Sequence, residues 1–324
     1  MMPGAPAGAA AAFTLMICAM ITCFDIGGSA IKCAVAAADG RIGDLHRIAT
    51  PTHDFAAFIA AMQAQIAAGG PSRGVAISIA GVIDPADGRI KCANIPCIDG
   101  RVLADELAAA FGLPVWIIND ADSFALAEAQ TGAGRGHASV FGLILGTGVG
   151  GGLVIGGRLI GGPGGFAGEW GHGPVAAQFA GTPPQAIPRF PCGCGQAGCL
   201  DTVGGARGLE RLHQVLHRQA LDSRAIIAAW QAGDAAAART VDCYIDLLSG
   251  PLAMLVNTLG ASILPVGGGL ANSAPLIARL DQAVRAAILR KTDAPIIVPG
   301  QSGAEPGLIG AAWLGLEKLE GAHG

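Results

Sequence analysis

Four residues between positions 172 and 199 form the most chemically distinctive constellation in the sequence. His172 is followed by Cys192, Cys194 and Cys199, a C-x-C-x4-C array in the run EWGHGPV…CGCGQAGC. One imidazole and three thiolates make a complete tetrahedral set for zinc, with no position left for a reacting water, so such a centre is structural. Glu169 stands three residues before His172. Folding the metal loop would therefore also fix a carboxylate in space.

Glycine supplies the second kind of chemistry. DIGGSAIK (25–32), GTGVGGG (146–152) and Gly267-Gly268-Gly269 each follow an apolar run. Glycines let backbone N–H groups close on an anion, and the first segment adds the Asp25 carboxylate, the Ser29 hydroxyl and the Lys32 amine. Asp25 could hold Mg²⁺ directly or through water. That segment is neither a dinucleotide fingerprint nor a Walker loop. Three such turns at strand ends suggest one nucleotide held along its phosphates and its adenosine. Asn119-Asp120 close another apolar run, PVWIIND. The carboxylate there can take a proton from a substrate hydroxyl and the amide can orient a sugar. An Asx cap for the following helix is the competing role, and the two can coexist across the pair.

The elements that must position these groups alternate. Residues 21–42 read as a hairpin about Gly27-Gly28, with a second turn at Asp39-Gly40. A helix capped by Asp54 is predicted over 54–68, a strand over 74–81, a helix over 101–111, a strand over 114–120 and a helix over 121–132. Residues 139–162 repeat the strand, glycine turn, strand pattern of residues 21–42, which points to an internal duplication. A Pro- and Ala-rich loop is expected over 175–191, helices over 206–219, 222–233 and 236–259, a strand over 261–270, a helix over 273–290, a strand over 294–300 and a last helix over 305–320. This alternation predicts an α/β protein of two lobes, with ligands at the C-terminal ends of strands.

Composition narrows the class. The chain has 324 residues, 52% hydrophobic and 14% charged, enough for two domains and unlike a disordered chain. A net charge of −4, the lack of a basic run and 5% aromatics argue against a nucleic-acid surface. Six cysteines outside the metal cluster (Cys18, Cys23, Cys33, Cys92, Cys97 and Cys243) are expected as reduced core residues. Residues 8–24 resemble a signal sequence but lack a charged n-region and run into the Asp25 strand. Residues 1–19 are therefore expected to be a disordered extension or a start-site artefact, with Met16 or Met20 as the start. No other segment is a candidate membrane span.

Taken together, DIGGSAIK, AGVIDPADGRIKCANIP, INDADSFALAEA, LILGTGVGGGLVIGG, GEWGH, CGCGQAGCL and PVGGGL resemble the ROK family of sugar kinases. Within it they are most similar to the bacterial N-acetyl-D-glucosamine kinases. The likeness runs from about Ile21 to about Gly315. It implies a two-lobed actin-like, ribonuclease-H-like ATPase fold, with ATP in the cleft and a zinc-bound loop, 172–199, in the C-terminal lobe. The lobes would be 20–120, closed by the helix 305–324, and 121–304. By the resemblance, Asp25, Gly27, Gly28, Ser29 and Lys32 form the first phosphate motif. Gly146, Thr147, Gly148 and Gly150, within Gly146 to Gly152, form the second, and Gly268 and Gly269 the adenosine motif. Asp120 matches the catalytic base. Gly81, Asn94, Asn119, Glu169 and His172 match sugar-contacting positions. His172, Cys192, Cys194 and Cys199 match the zinc ligands, so that His172 would hold zinc through one ring nitrogen and help orient the sugar through the other.

The implied reaction is phosphorylation by MgATP of the 6-hydroxyl of an N-acetylhexosamine, N-acetyl-D-glucosamine first, in a cytoplasmic homodimer free of membrane or nucleic acid. Glucose and N-acetylmannosamine are the alternatives inside the family. Two positions depart from its pattern: Ser29 stands for Thr, and Asp201 for the Glu that usually follows G-C-[LI] and would reach the sugar. A DNA-binding repressor of the family is not expected, because the 24 residues ahead of Asp25 carry no Lys or Arg. A non-catalytic sugar-binding protein is disfavoured by the intact Asp120 and both phosphate turns.

Overall fold

The computed structural model describes residues 20–84, 86–161 and 166–321. The predicted extension 1–19 lies outside the described residues. Among those described, the chain divides into two compact units: 20–123 with 304–321, and 124–161 with 166–303.

The first unit is built on the hairpin of β1 (Ile21–Ile26) and β2 (Ala30–Ala36), antiparallel with Asp25 opposite Lys32. β3 (His46–Ala49) pairs with β2 as an edge strand that sequence reasoning did not foresee. Its HRIA segment is mostly exposed and shows no alternation of apolar residues. The α1 helix (Phe55–Gly69) starts on Asp54, whose carboxylate accepts the Ala57 N–H at 3.0 Å. Then come β4 (Val75–Ile79), the small hairpin of β5 (Val82–Ile83) and β6 (Ile90–Lys91), α2 (Leu103–Phe111) and β7 (Val115–Asn119). The five-stranded order is β3-β2-β1-β4-β7, with β4 and β7 parallel to β1.

Strand alternation distributes β1 between two cores. Phe24 and Ile26 pack with Phe58, Met62, Leu103 and Leu107 of α1 and α2. Ile21 and Cys23 pack with Leu308, Ala311 and Ala312 of the C-terminal helix, Pro306–Gly321. Period two places Asp25 on that second face. Small residues let the helix lie close: a Cβ on Gly315 would stand 2.7 Å from Ile21 Cδ1. Ile26, Ile79 and Asn119 share one row of the parallel strands, so Gly27, Gly81 and Asp120 emerge at a single sheet edge.

The second unit repeats the plan. The α3 helix (Asp120–Thr131) begins in the first unit and continues into the second. β8 (Ser139–Leu145) and β9 (Val149–Ile155) form the second glycine hairpin, and β10 (Arg158–Leu159) pairs with β9. β11 (Phe179–Ala180) and β12 (Gln185–Ala186) make a two-stranded ribbon inside the segment expected as loop. Its prolines, Pro183 and Pro184, lie in the turn and hid the pairing residues on either side. Helices α4 (Asp201–Gly204), α5 (Ala206–His217), α6 (Ser223–Gln231) and α7 (Ala235–Leu259) follow. β13 (Leu264–Gly267), α8 (Ala274–Ala287) and β14 (Ile297–Pro299) complete the unit.

The sheet order β10-β9-β8-β13-β14 has the same sequence of antiparallel and parallel neighbours as the first sheet. Two sheets of one topology, each led by a glycine hairpin, are the structural form of the repeat seen in the sequence. A large core including Phe141, Leu209, Tyr244 and Leu248 fills the second unit. Among the described residues, no helix is long and apolar enough to cross a membrane.

Candidate active site and metal centre

In the first unit the sheet edge gathers the predicted residues. Lys32 Nζ lies 3.4 Å from Asp25 Oδ2 and 2.5 Å from Glu305 Oε2, all three side chains being about a quarter exposed. Burial drives the Asp25 carboxyl above its ordinary range, against the pull of Lys32. Burial draws the Lys32 ammonium down, but its hydrogen bond to Glu305 and the charges of Asp25 and Glu305 outweigh it, and the net shift is upward. The lysine therefore stays charged between two carboxylates. The C-terminal helix approaches this cluster through Gly307, where a Cβ would stand 2.6 Å from Asp25 Cγ.

The first glycine turn is held by Gly27 N–H donating to Ala30 O at 3.0 Å and by Thr50 Oγ1 donating to Gly27 O at 2.6 Å. Gly28 abuts Asn94: a Cβ there would lie 3.1 Å from its carbonyl oxygen. Ser29 is exposed at the tip of the turn. Asn119 spans the neighbouring strand end. Its Nδ2 donates to Gly81 O at 2.9 Å, while its Oδ1 accepts the Ala121 N–H at 2.8 Å. Asp120 Oδ1 accepts the same N–H at 2.9 Å, and the Asp120 side chain is exposed. The capping role weighed from sequence is thus present, and it aims the pair: the cap fixes both side chains at the first turn of α3.

In the second unit the glycine turn between β8 and β9 is closed by Gly146 N–H donating to Gly148 O at 3.0 Å. The N-terminus of α5 grips it from behind, Ala206 N–H donating to Gly146 O at 2.8 Å and Arg207 N–H to Thr147 O at 3.3 Å. Gly205 permits this approach, since a Cβ there would stand 2.5 Å from Gly148 Cα. Gly268, at φ +86°, packs on the same turn, 2.6 Å from Gly146 N for an added Cβ. Gly269 is exposed beside it. The residues assigned to phosphate and adenosine binding in this unit are therefore neighbours. Gly150 O accepts the Trp170 Nε1–H at 2.9 Å, which joins β9 to the EWGH segment.

The four candidate metal ligands converge. Their donor atoms all lie within 4.8 Å of one another, with His172 Nδ1 3.6 Å from Cys192 Sγ and Cys194 Sγ 3.7 Å from Cys199 Sγ. Donors about 2.3 Å from a central ion at tetrahedral angles stand about 3.8 Å apart. The cluster thus has the size of a tetrahedral centre. Burial pushes the Cys192 thiol up to about 12. The Gln196 N–H, followed by bonds from Cys192, Cys199 and His172, draws Cys194 down to about 7. His172 turns Nδ1 to the thiols and Nε2 to Glu169, 3.6 Å from its Oε2. Glu169 is thereby paired with one of the four candidate ligands. Asp201 sits beside Cys192 and accepts the Val149 N–H at 2.9 Å.

Glu305, Gly307, Thr50, Trp170 and Gly205 were not singled out from the sequence. Only the E-P-G at 305–307, opening a helix, could have drawn attention to the first two.

Residues 21–318 match the ROK family. The chain belongs to the ROK family. It is 38% identical over 295 residues to the N-acetylgalactosamine kinase AgaK of Shewanella sp. strain ANA-3, covering 90% of this chain and 95% of that protein. It is 35% identical over 297 residues to an N-acetyl-D-glucosamine kinase of Salmonella paratyphi A, covering 90% and 98%. Among ROK structures, a hexokinase from Thermus thermophilus superposes with a TM-score of 0.79 at 30% identity, covering 94% of this chain and 100% of that one. A Streptomyces griseus glucokinase in complex with glucose and AMPPNP gives 0.69 at 28% identity, covering 91% and 98%. The ROK α/β fold with mixed sheets accounts for both repeated sheets described above.

Proposed function

We propose that this ROK protein transfers the γ-phosphoryl group of ATP to the 6-hydroxyl of an N-acetylhexosamine, with N-acetyl-D-glucosamine as the first candidate. The observation that carries this reading is the likeness, over 90% of the chain, to two N-acetylhexosamine kinases at 35–38% identity. The candidate residues fit the chemistry. Asp120 is exposed and oriented by its cap, and takes the proton as the sugar oxygen attacks phosphorus. The new O–P bond forms as the bond between the γ-phosphorus and the β–γ bridging oxygen breaks, and ADP leaves with that electron pair. Gly81, Asn94, Asn119, Glu169 and His172 are the residues this reading assigns to the sugar, with the 6-oxygen to be held in line for transfer. The two glycine turns, Lys32, Gly268 and Gly269 take the nucleotide. Mg²⁺ arriving with ATP supplies charge neutralisation, and Asp25 is the carboxylate suited to hold it. His172, Cys192, Cys194 and Cys199 would hold a structural zinc ion, which would help keep Glu169 and His172 in place. A cytoplasmic homodimer is the setting this reading expects.

N-acetyl-D-galactosamine is the second reading, favoured by the 38% identity to a kinase of that sugar. The two substrates differ only in the configuration of one ring hydroxyl. A coupled ADP-release assay with MgATP against N-acetylglucosamine, N-acetylgalactosamine, N-acetylmannosamine, glucose and no sugar tests both. Preference for an N-acetylated sugar is expected. Preference for glucose would refute the acetamide reading, and no sugar-stimulated ADP release with metal bound would refute the activity.

A further inference from the structure

Asp201 touches three pieces of the second unit at once. Its Oδ1 accepts the Val149 N–H at 2.9 Å, its own N–H donates to Gly171 O at 2.9 Å, and its Oδ2 lies 3.8 Å from Cys192 Sγ. Val149 directly follows the Gly146-Thr147-Gly148 turn, and Gly171 directly precedes His172. Asp201 is also two residues from the fully buried Cys199, whose carbonyl accepts the Thr202 hydroxyl at 2.7 Å. We propose that Asp201 is a positioning residue that transmits the order of the metal loop to the Gly146–Val149 turn, so that the metal sets the grip on the nucleotide as well as the placement of Glu169 and His172. The second part rests on reading this turn as a phosphate clamp.

The physical basis is a charge-assisted hydrogen bond from a short side chain. An aspartate has one methylene, so its carboxylate meets Val149 only while the backbone at 199–201 is held. That backbone is held by Cys199 on one side and by the Gly171 bond on the other. Gly148 admits the carboxylate, because a Cβ there would collide with Asp201 Oδ1. The shorter carboxylate at this position is thus placed as a brace beneath the turn. With the metal gone, the thiols no longer share a centre and Asp201 loses its fixed origin.

Amide hydrogen exchange over residues 146–152, with and without a chelator, tests the brace in wild type, Asp201→Ala and Asp201→Asn, alongside MgATP binding by calorimetry and metal content. Exchange across β13 and α7 reports that the second unit of each variant is folded. In wild type, chelation is expected to speed exchange at 146–152. In Asp201→Ala, with metal still bound, exchange there should already be fast and chelation should add little. MgATP affinity should fall about tenfold in that variant, on the scale of one lost charged hydrogen bond. Asp201→Asn keeps an acceptor for the Val149 N–H and should recover most of both. Metal-loaded Asp201→Ala with wild-type exchange at 146–152, or wild type whose turn ignores chelation, would overturn the proposal. Wild type showing the exchange pattern but no MgATP binding would support the brace and refute the phosphate reading of the turn.

Discussion

Gly307→Ala isolates what the C-terminal helix does for Asp25. A methyl at this position would stand 2.6 Å from Asp25 Cγ and Oδ1 and 3.0 Å from Oδ2. Ordinary contact begins at 3.4 Å, so either the carboxylate retreats by about 0.8 Å or the helix lifts. The helix is pinned by the fully buried Leu308, Ala311 and Ala312, whereas the carboxylate is the free end of a side chain. The carboxylate therefore moves. Stability should change little. Alanine favours a helix over glycine by about 1 kcal/mol, and weakening the part-exposed pair with Lys32 loses at most a similar amount. A Tm within about 4 °C of wild type is expected. Function should respond far more, since a misplacement of about 1 Å at a positioning group can lower rates about a hundredfold. Steady-state kinetics with MgATP and sugar varied separately, paired with thermal unfolding, separates these effects. The expected result is kcat/KM for MgATP down about a hundredfold with sugar KM within about twofold. Wild-type kcat/KM at an unchanged Tm would refute the role given to Asp25. A Tm loss of 10 °C or more would show that the helix, not the carboxylate, gives way.

Asp120→Asn should lower kcat at least about a hundredfold while calorimetric sugar affinity stays within about threefold; near-normal kcat would remove Asp120 as the base. Chelation should weaken sugar binding at temperatures where circular dichroism is unchanged, because Glu169 is tied through His172 to the metal loop. Equal affinity with and without metal would make the centre a remote staple. His213 is buried, with Nδ1 2.8 Å from Thr240 Oγ1, and burial first, then His217, holds its pKa below 6.5. The unfolded chain takes up this proton before the folded one. Stability is thus intact above pH 6.5 and falls as pH drops through the lower folded value. His213→Gln should flatten the acid side of the Tm–pH curve, and an unchanged slope would place its origin elsewhere.

Local chemistry made much of this molecule readable from the sequence. Gly27-Gly28 and Gly146 to Gly148 announced their hairpins because a strand, a flexible turn and a second strand are contiguous. Asp54 announced α1 because a cap acts on the N–H three residues along. The candidate metal ligands were readable because their identity, more than their separation, carries the information. What escaped depends on distance along the chain. Lys32 and Glu305 are 273 residues apart, and no local pattern pairs them. Gly307 is an ordinary helical residue until Asp25 is placed against it. Asp201 was expected near a sugar by likeness to a longer side chain, and its bond to Val149, 52 residues away, became visible only when the turn and the metal loop were folded together.

The placement of the C-terminal helix also bears on how the chain is made. Ile21, Cys23, Ala34, Ala36 and Ala76 form an apolar face whose cover is residues 306–321. About 280 residues separate Ile26 from Pro306. At bacterial-to-eukaryotic elongation rates that interval is roughly 15 to 60 s. The described residues of the second unit end at Gly303, so its core is synthesised before the cover emerges. Among the described residues, the nascent first unit must wait without the helix 306–321 on this face, which carries the Cys23 thiol, until that helix leaves the ribosome. Chaperone demand and truncation damage should therefore concentrate on the half of the protein that is synthesised first.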